Sequence, residues 1–107
     1  MPDIPFFDAV GFFSNKIHEV EQQLIAKKAE REILQANQAS LEQTLATLAL
    51  LPPEHQKAIQ QEVASLKEVL HSTERALTSL ESDIEMLTAK LNALQAAREM
   101  LHVEGSS

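Results

Sequence analysis

Cysteine, tryptophan and tyrosine are absent from this chain of 107 residues, which also contains only two glycines and four prolines. The absence of cysteine excludes disulfides, thiolate chemistry and cysteine-based zinc sites, and it fits a reducing compartment, so we expect a cytoplasmic location. Turns use glycine and proline more than helices do, and their scarcity favours a few long elements. We therefore expect one all-α domain over residues 1–107.

Long apolar runs and an excess of positive charge are also missing. The apolar run 48–51 is far shorter than the ~20 residues that cross a bilayer, and Asp3 and Asp8 lie where a secretory signal would carry basic residues. Nine Lys and Arg against sixteen Asp and Glu give a net charge of −7, which would repel a phosphate backbone. We expect no nucleic-acid partner.

Apolar side chains recur at steps of three and four along two segments, which is typical of the heptad seam through which coiled-coil helices pack. The first seam is interrupted only by Lys27, Arg31 and Gln38, and the second only by Thr73 and Arg98. The apolar seam positions are Phe6, Val10, Phe13, Ile17, Val20, Leu24, Leu34, Leu41, Leu45 and Leu48, then Ile59, Val63, Leu66, Leu70, Leu77, Leu80, Ile84, Leu87, Leu91, Leu94 and Leu101. This pattern predicts two long helices.

Pro52 and Pro53 separate the two seams. A proline disfavours helix at the preceding residue and is well accepted in the first turn of a helix. The expected elements are helix 1 at about 5–50, a turn at about 51–53, helix 2 at about 54–103 and a frayed tail at 104–107. Two long helices joined by so short a turn should form an antiparallel hairpin, that is, a two-helix coiled coil.

Two registers are compatible with this hairpin. A turn centred near the prolines places Arg31 opposite Thr73 and Leu34 opposite Leu70, which is the expected arrangement. If the centre of the turn were displaced by half a heptad, Gln38 would instead lie beside Thr73.

Further apolar side chains lie beside both seams and widen the apolar face enough to bury against a third or fourth helix. Because closed two-fold dimers are the commonest oligomers, we expect a homodimer that forms a four-helix bundle. The predicted dimer interface contains Ile33, Val69, Met86 and Met100. The alternative is a monomeric hairpin whose extra apolar residues are alanine-rich filler.

Two Glu-x-x-His pairs, Glu68 with His71 and Glu99 with His102, have the spacing that di-iron carboxylate bundles use. Leucines hold the neighbouring seam positions, so the pairs should face outward, and they lie about 46 Å apart on one helix. The chain contains no glycine-rich phosphate loop and no nucleophile motif. We therefore expect no metal, no cofactor and no enzymatic activity.

Lys27, Lys28 and Arg31 form the densest basic cluster of the chain. Lys27 and Arg31 hold seam positions, where an unpaired buried charge would cost several kcal/mol, so they must extend to water or meet a carboxylate. The candidate carboxylates are Glu30, Glu81 and Glu85. One interpretation is that the cluster fixes register and orientation, as polar seam residues do. The other is that it is a docking site for an acidic partner, or a place where the bundle opens.

All four aromatic side chains, Phe6, Phe7, Phe12 and Phe13, fall within residues 5–13. On a helix, Phe6 and Phe13 continue the seam, whereas Phe7 and Phe12 would need another partner. Three interpretations remain: an aromatic plug inside the dimer, an exposed patch that recognises another protein, or a helix that lies on a membrane surface.

These patterns predict a non-enzymatic coiled-coil interaction module, such as an assembly factor, adaptor or small chaperone, that binds itself and another, helical protein. The candidate partner-binding residues are Phe6, Phe7, Phe12, Phe13, Lys27, Lys28 and Arg31. The alternative function is a peripheral membrane protein anchored by the Phe-rich N-terminal helix.

Overall fold

The computed structural model describes residues 7–105, which form helices joined by short connections and contain no strand. The elements are α1 (Ala9–Leu48), α2 (Pro53–Ala58) and α3 (Gln60–Gly105). The chain reverses direction between the two long helices, α1 and α3. The expected all-α helical hairpin is confirmed. The expected positions of residues 5, 6, 106 and 107 lie outside the described residues.

Helix α1 begins at Ala9, later than expected, because Asp8 caps it. The Oδ1 atom of Asp8 accepts a hydrogen bond from the backbone N–H of Gly11 at 2.8 Å, which satisfies one of the free donors at the helix start. Gly11 makes room for this cap, since a Cβ atom there would clash with the Asp8 carboxylate. The expected start near residue 5 is therefore wrong for Phe7 and Asp8, which precede the helix.

The reversal of the chain joins α1 to α2 through a short, hydrogen-bonded turn. Helix α1 ends at Leu48, two residues before the expected end, and Pro53 opens α2 in the first-turn position that suits proline. The side-chain Nε2 of Gln56 donates to the carbonyl oxygens of Ala49 at 2.9 Å and Leu51 at 2.6 Å. These bonds satisfy two carbonyls of the turn that follows α1 and tie α2 to that turn.

The expected second helix is divided at Ile59, whose backbone has φ −109° and ψ 22°. Its N–H still donates to the His55 carbonyl at 3.2 Å, and its own carbonyl accepts from Val63 N–H at 3.0 Å. The ladder of hydrogen bonds therefore continues through a local distortion. The prediction of one helix over 54–103 is corrected to two elements, and nothing in the sequence marks the break. Helix α3 also continues to Gly105, two residues into the expected frayed tail.

The burial pattern follows both seams. Every described seam position is buried or half-buried, including the polar ones, whereas most of the residues between them are exposed. Among residues 7–105 the buried apolar side chains are Ile17, Val20, Leu24, Leu80 and Ile84. A pair of helices thus has a narrow core, as the a/d stripe of a coiled coil requires.

The contacts divide the hairpin into two compact units, which we call the terminal unit and the turn unit. The terminal unit contains the described residues up to Ala26 together with those from Ile84 onward, and the turn unit is Lys27–Asp83. In each unit a segment of α1 packs against a segment of α3. The predicted single domain over 1–107 stays a prediction.

Polar contacts between α1 and α3 establish the register within each unit. In the turn unit, Arg31 Nη1 lies 3.4 Å from Glu81 Oε2 and Lys27 Nζ lies 3.8 Å from Asp83 Oδ2. In the terminal unit, Arg98 Nη1 donates to Ser14 Oγ at 3.4 Å.

The expected register, with Arg31 opposite Thr73, is wrong. Thr73 lies eight residues, or about 12 Å along the helix, before the glutamate that Arg31 contacts. The contacts agree with the alternative register, in which Gln38 is level with Thr73. The reason is that the midpoints of the two ion-paired positions in the turn unit fall at 55 and 56, inside α2. The short helix α2 therefore carries the reversal, and the prolines only begin it.

Candidate protein-interaction surfaces

Phe7 and Phe12 pack against each other across the Asp8 cap, with ring centroids 5.7 Å apart. Phe7 immediately precedes the capping residue and Phe12 is the fourth residue of α1, which is the spacing of a hydrophobic staple. Phe7 and Phe12 were expected to need a partner outside the hairpin, and each ring in part provides that partner for the other. Phe7 is still 77% exposed and Phe12 44% exposed.

Phe12 also connects the staple to the hairpin core. Its ring lies 5.5 Å from that of Phe13 in an edge-to-face arrangement, and Lys16 Nζ lies 5.6 Å from its centroid. Phe13 is half-buried at its seam position, as expected. Three of the four phenylalanines therefore form one cluster, and Phe6 lies outside the described residues.

The basic cluster is engaged in ion pairs within the turn unit. Arg31 meets Glu81, one of the three expected carboxylates, whereas Lys27 meets Asp83, which was not among them. Lys28 is exposed. Surface pairs of this kind contribute up to about 1 kcal/mol each, so their main effect is to favour one register. The docking of an acidic partner on Lys27, Lys28 and Arg31 stays a prediction.

The four residues of the expected dimer interface are exposed in the single chain. The exposed fraction is 68% for Met86 and 66% for Met100 in the terminal unit, and 63% for Ile33 and 51% for Val69 in the turn unit. Apolar side chains of this size are available for contact with another molecule. Their role in a dimer stays a prediction.

Met86, Ala93 and Met100 repeat every seven residues on α3, and each directly precedes a leucine of the seam. Phe12 likewise precedes a seam residue on α1. Two antiparallel helices are related by a two-fold axis perpendicular to the plane that contains them both. Because rotation about this axis keeps each side of the plane in place, the same heptad position on the two helices lies on the same side of the pair. The contact between Ser14 and Arg98 places Phe12 level with Met100. We call these four apolar residues the methionine face.

The turn unit also contains a groove that the sequence did not reveal. Its volume is about 610 Å³, and its lining includes Leu45, Leu48 and Val63. These residues belong to the seam, and the periodicity predicts only that they contribute to the core. In the structure all three remain half-buried and line the groove.

The structure brings no set of metal-ligating side chains together among the residues it describes. Of the Glu-x-x-His residues, His71 lies with its Nδ1 atom 3.9 Å from Glu74 Oε2, a carboxylate one turn away on the same helix. No described helix contains an apolar stretch long enough to traverse a bilayer.

Comparisons with models of protein families, with curated proteins and with solved structures found no match to this chain. The function is therefore argued from the geometry of the hairpin.

Proposed function

We propose that this protein is a non-enzymatic coiled-coil interaction module that pairs with a second copy of itself through the methionine face to form a four-helix bundle. The observation that carries the proposal is the exposure of Met86 and Met100, 68% and 66%, which lie two heptads, or about four helical turns, apart beside the core. A stripe repeated every seven residues stays in contact with a partner helix along its whole length.

The thin core of the hairpin supports the same proposal. Among residues 7–105, five apolar side chains are buried and none of the large ones is completely enclosed. Two helices can enclose only their facing stripes, whereas four helices enclose a second set of positions on each. Association would therefore add apolar burial that the single hairpin lacks, and it would stabilise the fold by mass action.

The biological role that fits such a module is that of an assembly factor, adaptor or small chaperone, in which helical faces bind partner helices. Methionine suits this role, because its flexible thioether side chain adapts to differently shaped partners. In the absence of a partner the protein would be the four-helix bundle. The helical faces that the bundle leaves exposed would determine which partner helices can bind.

Light scattering on the purified chain tests the proposal directly. The single chain has a mass of 11.9 kDa, so a dimer should scatter with about twice that mass at micromolar concentration. At a concentration of about 100 μM the measurement detects a dimer whose free energy of association is about −5 kcal/mol. If the mass stays at the monomer value up to that concentration, the proposal is refuted.

A second candidate function, binding to a membrane surface, is favoured by one observation, the 77% exposure of Phe7 at the tip of the aromatic cluster. Asp8 next to it opposes contact with anionic lipid. Flotation with liposomes of neutral and of anionic lipid separates the two functions. The interaction module should stay unbound in both, and the membrane protein should float and lose binding when Phe7 is changed to Ser.

A further inference from the structure

The groove in the turn unit shares no residue with the methionine face and forms a second apolar surface. Leu45 and Leu48 of α1 line one side, and Val63 and Ala64 of α3 line the other. The first three are half-buried, so they present apolar area that the hairpin only partly covers. Its volume of about 610 Å³ is within the range of protein ligand sites, about 300–1,000 Å³. We call this surface the tip groove.

The charged side chains that line the tip groove are both positive, opposite in sign to the net charge of the chain. Lys57 and Lys67 line it, and no carboxylate does. Glu54 and Glu62 belong to the same helices, but neither is part of the lining. In a chain with a net charge of −7, this local charge favours an acidic occupant.

The separation of the two lysines defines the shape of that occupant. They are ten residues apart, which is about 15 Å along helical backbone and nearly three turns. The single carboxylate of a fatty acid cannot reach both. A helix with two carboxylates about three turns apart on one face, and apolar side chains between them, can place a carboxylate near each lysine and its apolar residues against Val63 and Leu48.

One end of the groove is already ordered in the free protein. Gln56, which lines the groove, donates from Nε2 to the carbonyls of Ala49 and Leu51. Ala49 is part of the lining as well. Because this network holds α2 against the turn that follows α1, little conformational entropy is lost when a ligand enters.

We propose that the tip groove binds an acidic amphipathic helix of a partner protein, with apolar side chains between the helices and carboxylates on Lys57 and Lys67. Its lining shares no residue with the methionine face, so each subunit of a dimer carries one tip groove. It gives the interaction module a heterologous partner of defined chemistry.

The test uses a fluorescent synthetic helical peptide of about 15 residues, with leucines along one face. Two glutamates, one at each end of that face, lie about three turns apart. The full-length protein should bind it in an anisotropy titration, and backbone amide shifts in NMR spectra should change around Val63 and Ala64. A second peptide, with lysine in place of both glutamates, should bind at least about tenfold more weakly.

Three variants localise the binding. Lys57→Glu combined with Lys67→Glu should lower the affinity at least about tenfold by reversing the charge, and Ala64→Arg should do so by filling the groove from an exposed position. Arg75→Glu, a charge reversal at an exposed arginine of the same unit outside the lining, should change it less than about threefold. Circular dichroism confirms that each variant remains helical.

Several outcomes would overturn the proposal. These are equal binding of the two peptides, equal loss in Arg75→Glu and in the double charge reversal, shift changes outside the tip groove, or binding of oleate but not of the acidic peptide. Changing Met86 and Met100 to glutamine should leave peptide affinity unchanged while it dissociates the dimer. Failure of the groove and failure of the dimer are therefore distinguishable.

Discussion

Replacing Met86 or Met100 with glutamine should weaken self-association strongly while leaving the hairpin folded. Glutamine has nearly the same length and helix propensity as methionine, so the change removes apolar contact without disturbing the helix. Both side chains are largely exposed in the single chain, so the core does not depend on them. The effect should therefore appear in the association constant and not in the helical content.

The magnitude follows from exposure. Complete burial of a methionine side chain contributes about 1.5–3 kcal/mol, and the exposed fractions of 68% and 66% leave about 1–2 kcal/mol for each residue to gain on association. In a two-fold dimer each substitution occurs twice, so one of them costs about 2–4 kcal/mol. The dissociation constant should rise about 30- to 1,000-fold for either single variant.

Sedimentation equilibrium over a range of concentrations measures this change. Ile25→Gln is the matched control, because Ile25 is 61% exposed in the same unit but holds a heptad position on the other side of the helical pair. The dissociation constant of the Ile25→Gln dimer should exceed that of the wild type by less than about threefold, since one exposed residue outside an interface has little effect. Equal weakening by Ile25→Gln and Met100→Gln would refute the assignment of the methionine face.

Three further predictions concern the hairpin itself. Arg31→Leu should raise the free energy of unfolding by about 1 kcal/mol, because leucine packs in the seam better than a half-exposed ion pair stabilises it, and a lower melting temperature would contradict this. Asp8→Ala should lower the free energy of unfolding, measured by urea denaturation, by about 1 kcal/mol. The loss should be smaller in a Gly11→Ala background, because the added Cβ atom already displaces the carboxylate. Equal losses in both backgrounds would exclude the cap. Phe12→Ala should cost more stability than Phe7→Ala, since Phe7 is 77% and Phe12 44% exposed, and thermal denaturation showing the reverse order would contradict the described staple.

Much of the architecture could be predicted from the sequence because coiled-coil packing is written in its periodicity. Every described seam position is at least half-buried in the structure, even where it is Lys27, Gln38 or Arg98. The proline pair marked the reversal within a few residues. Local rules of helix ending and apolar spacing were sufficient for both predictions.

The start of α1 shows where periodicity misled. Phe7 continues an apolar pattern, and on a helical wheel it looks like part of α1. Asp8 instead caps the helix and places Phe7 outside it, where its ring returns to Phe12. The signal was present in the sequence, as a capping residue between two phenylalanines with staple spacing, but the wheel treats every residue as helical.

The candidate surfaces divide in the same way. The exposed positions of Met86 and Met100 follow from the heptad, since a residue beside the seam of a two-helix pair is exposed to solvent. The tip groove does not follow, because its lining comes from both sides of the reversal. Leu45 and Lys67 are brought to one surface only by the way α2 turns the chain.

The sequence alone thus determined that the chain forms two long helices, which stripe of each is buried and roughly where the chain turns back. Only the tertiary structure decided the register, the ion pairs of Lys27 and Arg31, and the groove beside the turn. The physical reason is that a heptad pattern repeats, so a helix displaced by one repeat still meets apolar layers. The path of the reversal, set by α2 and its bonds to the turn that follows α1, selects among those equivalent layers.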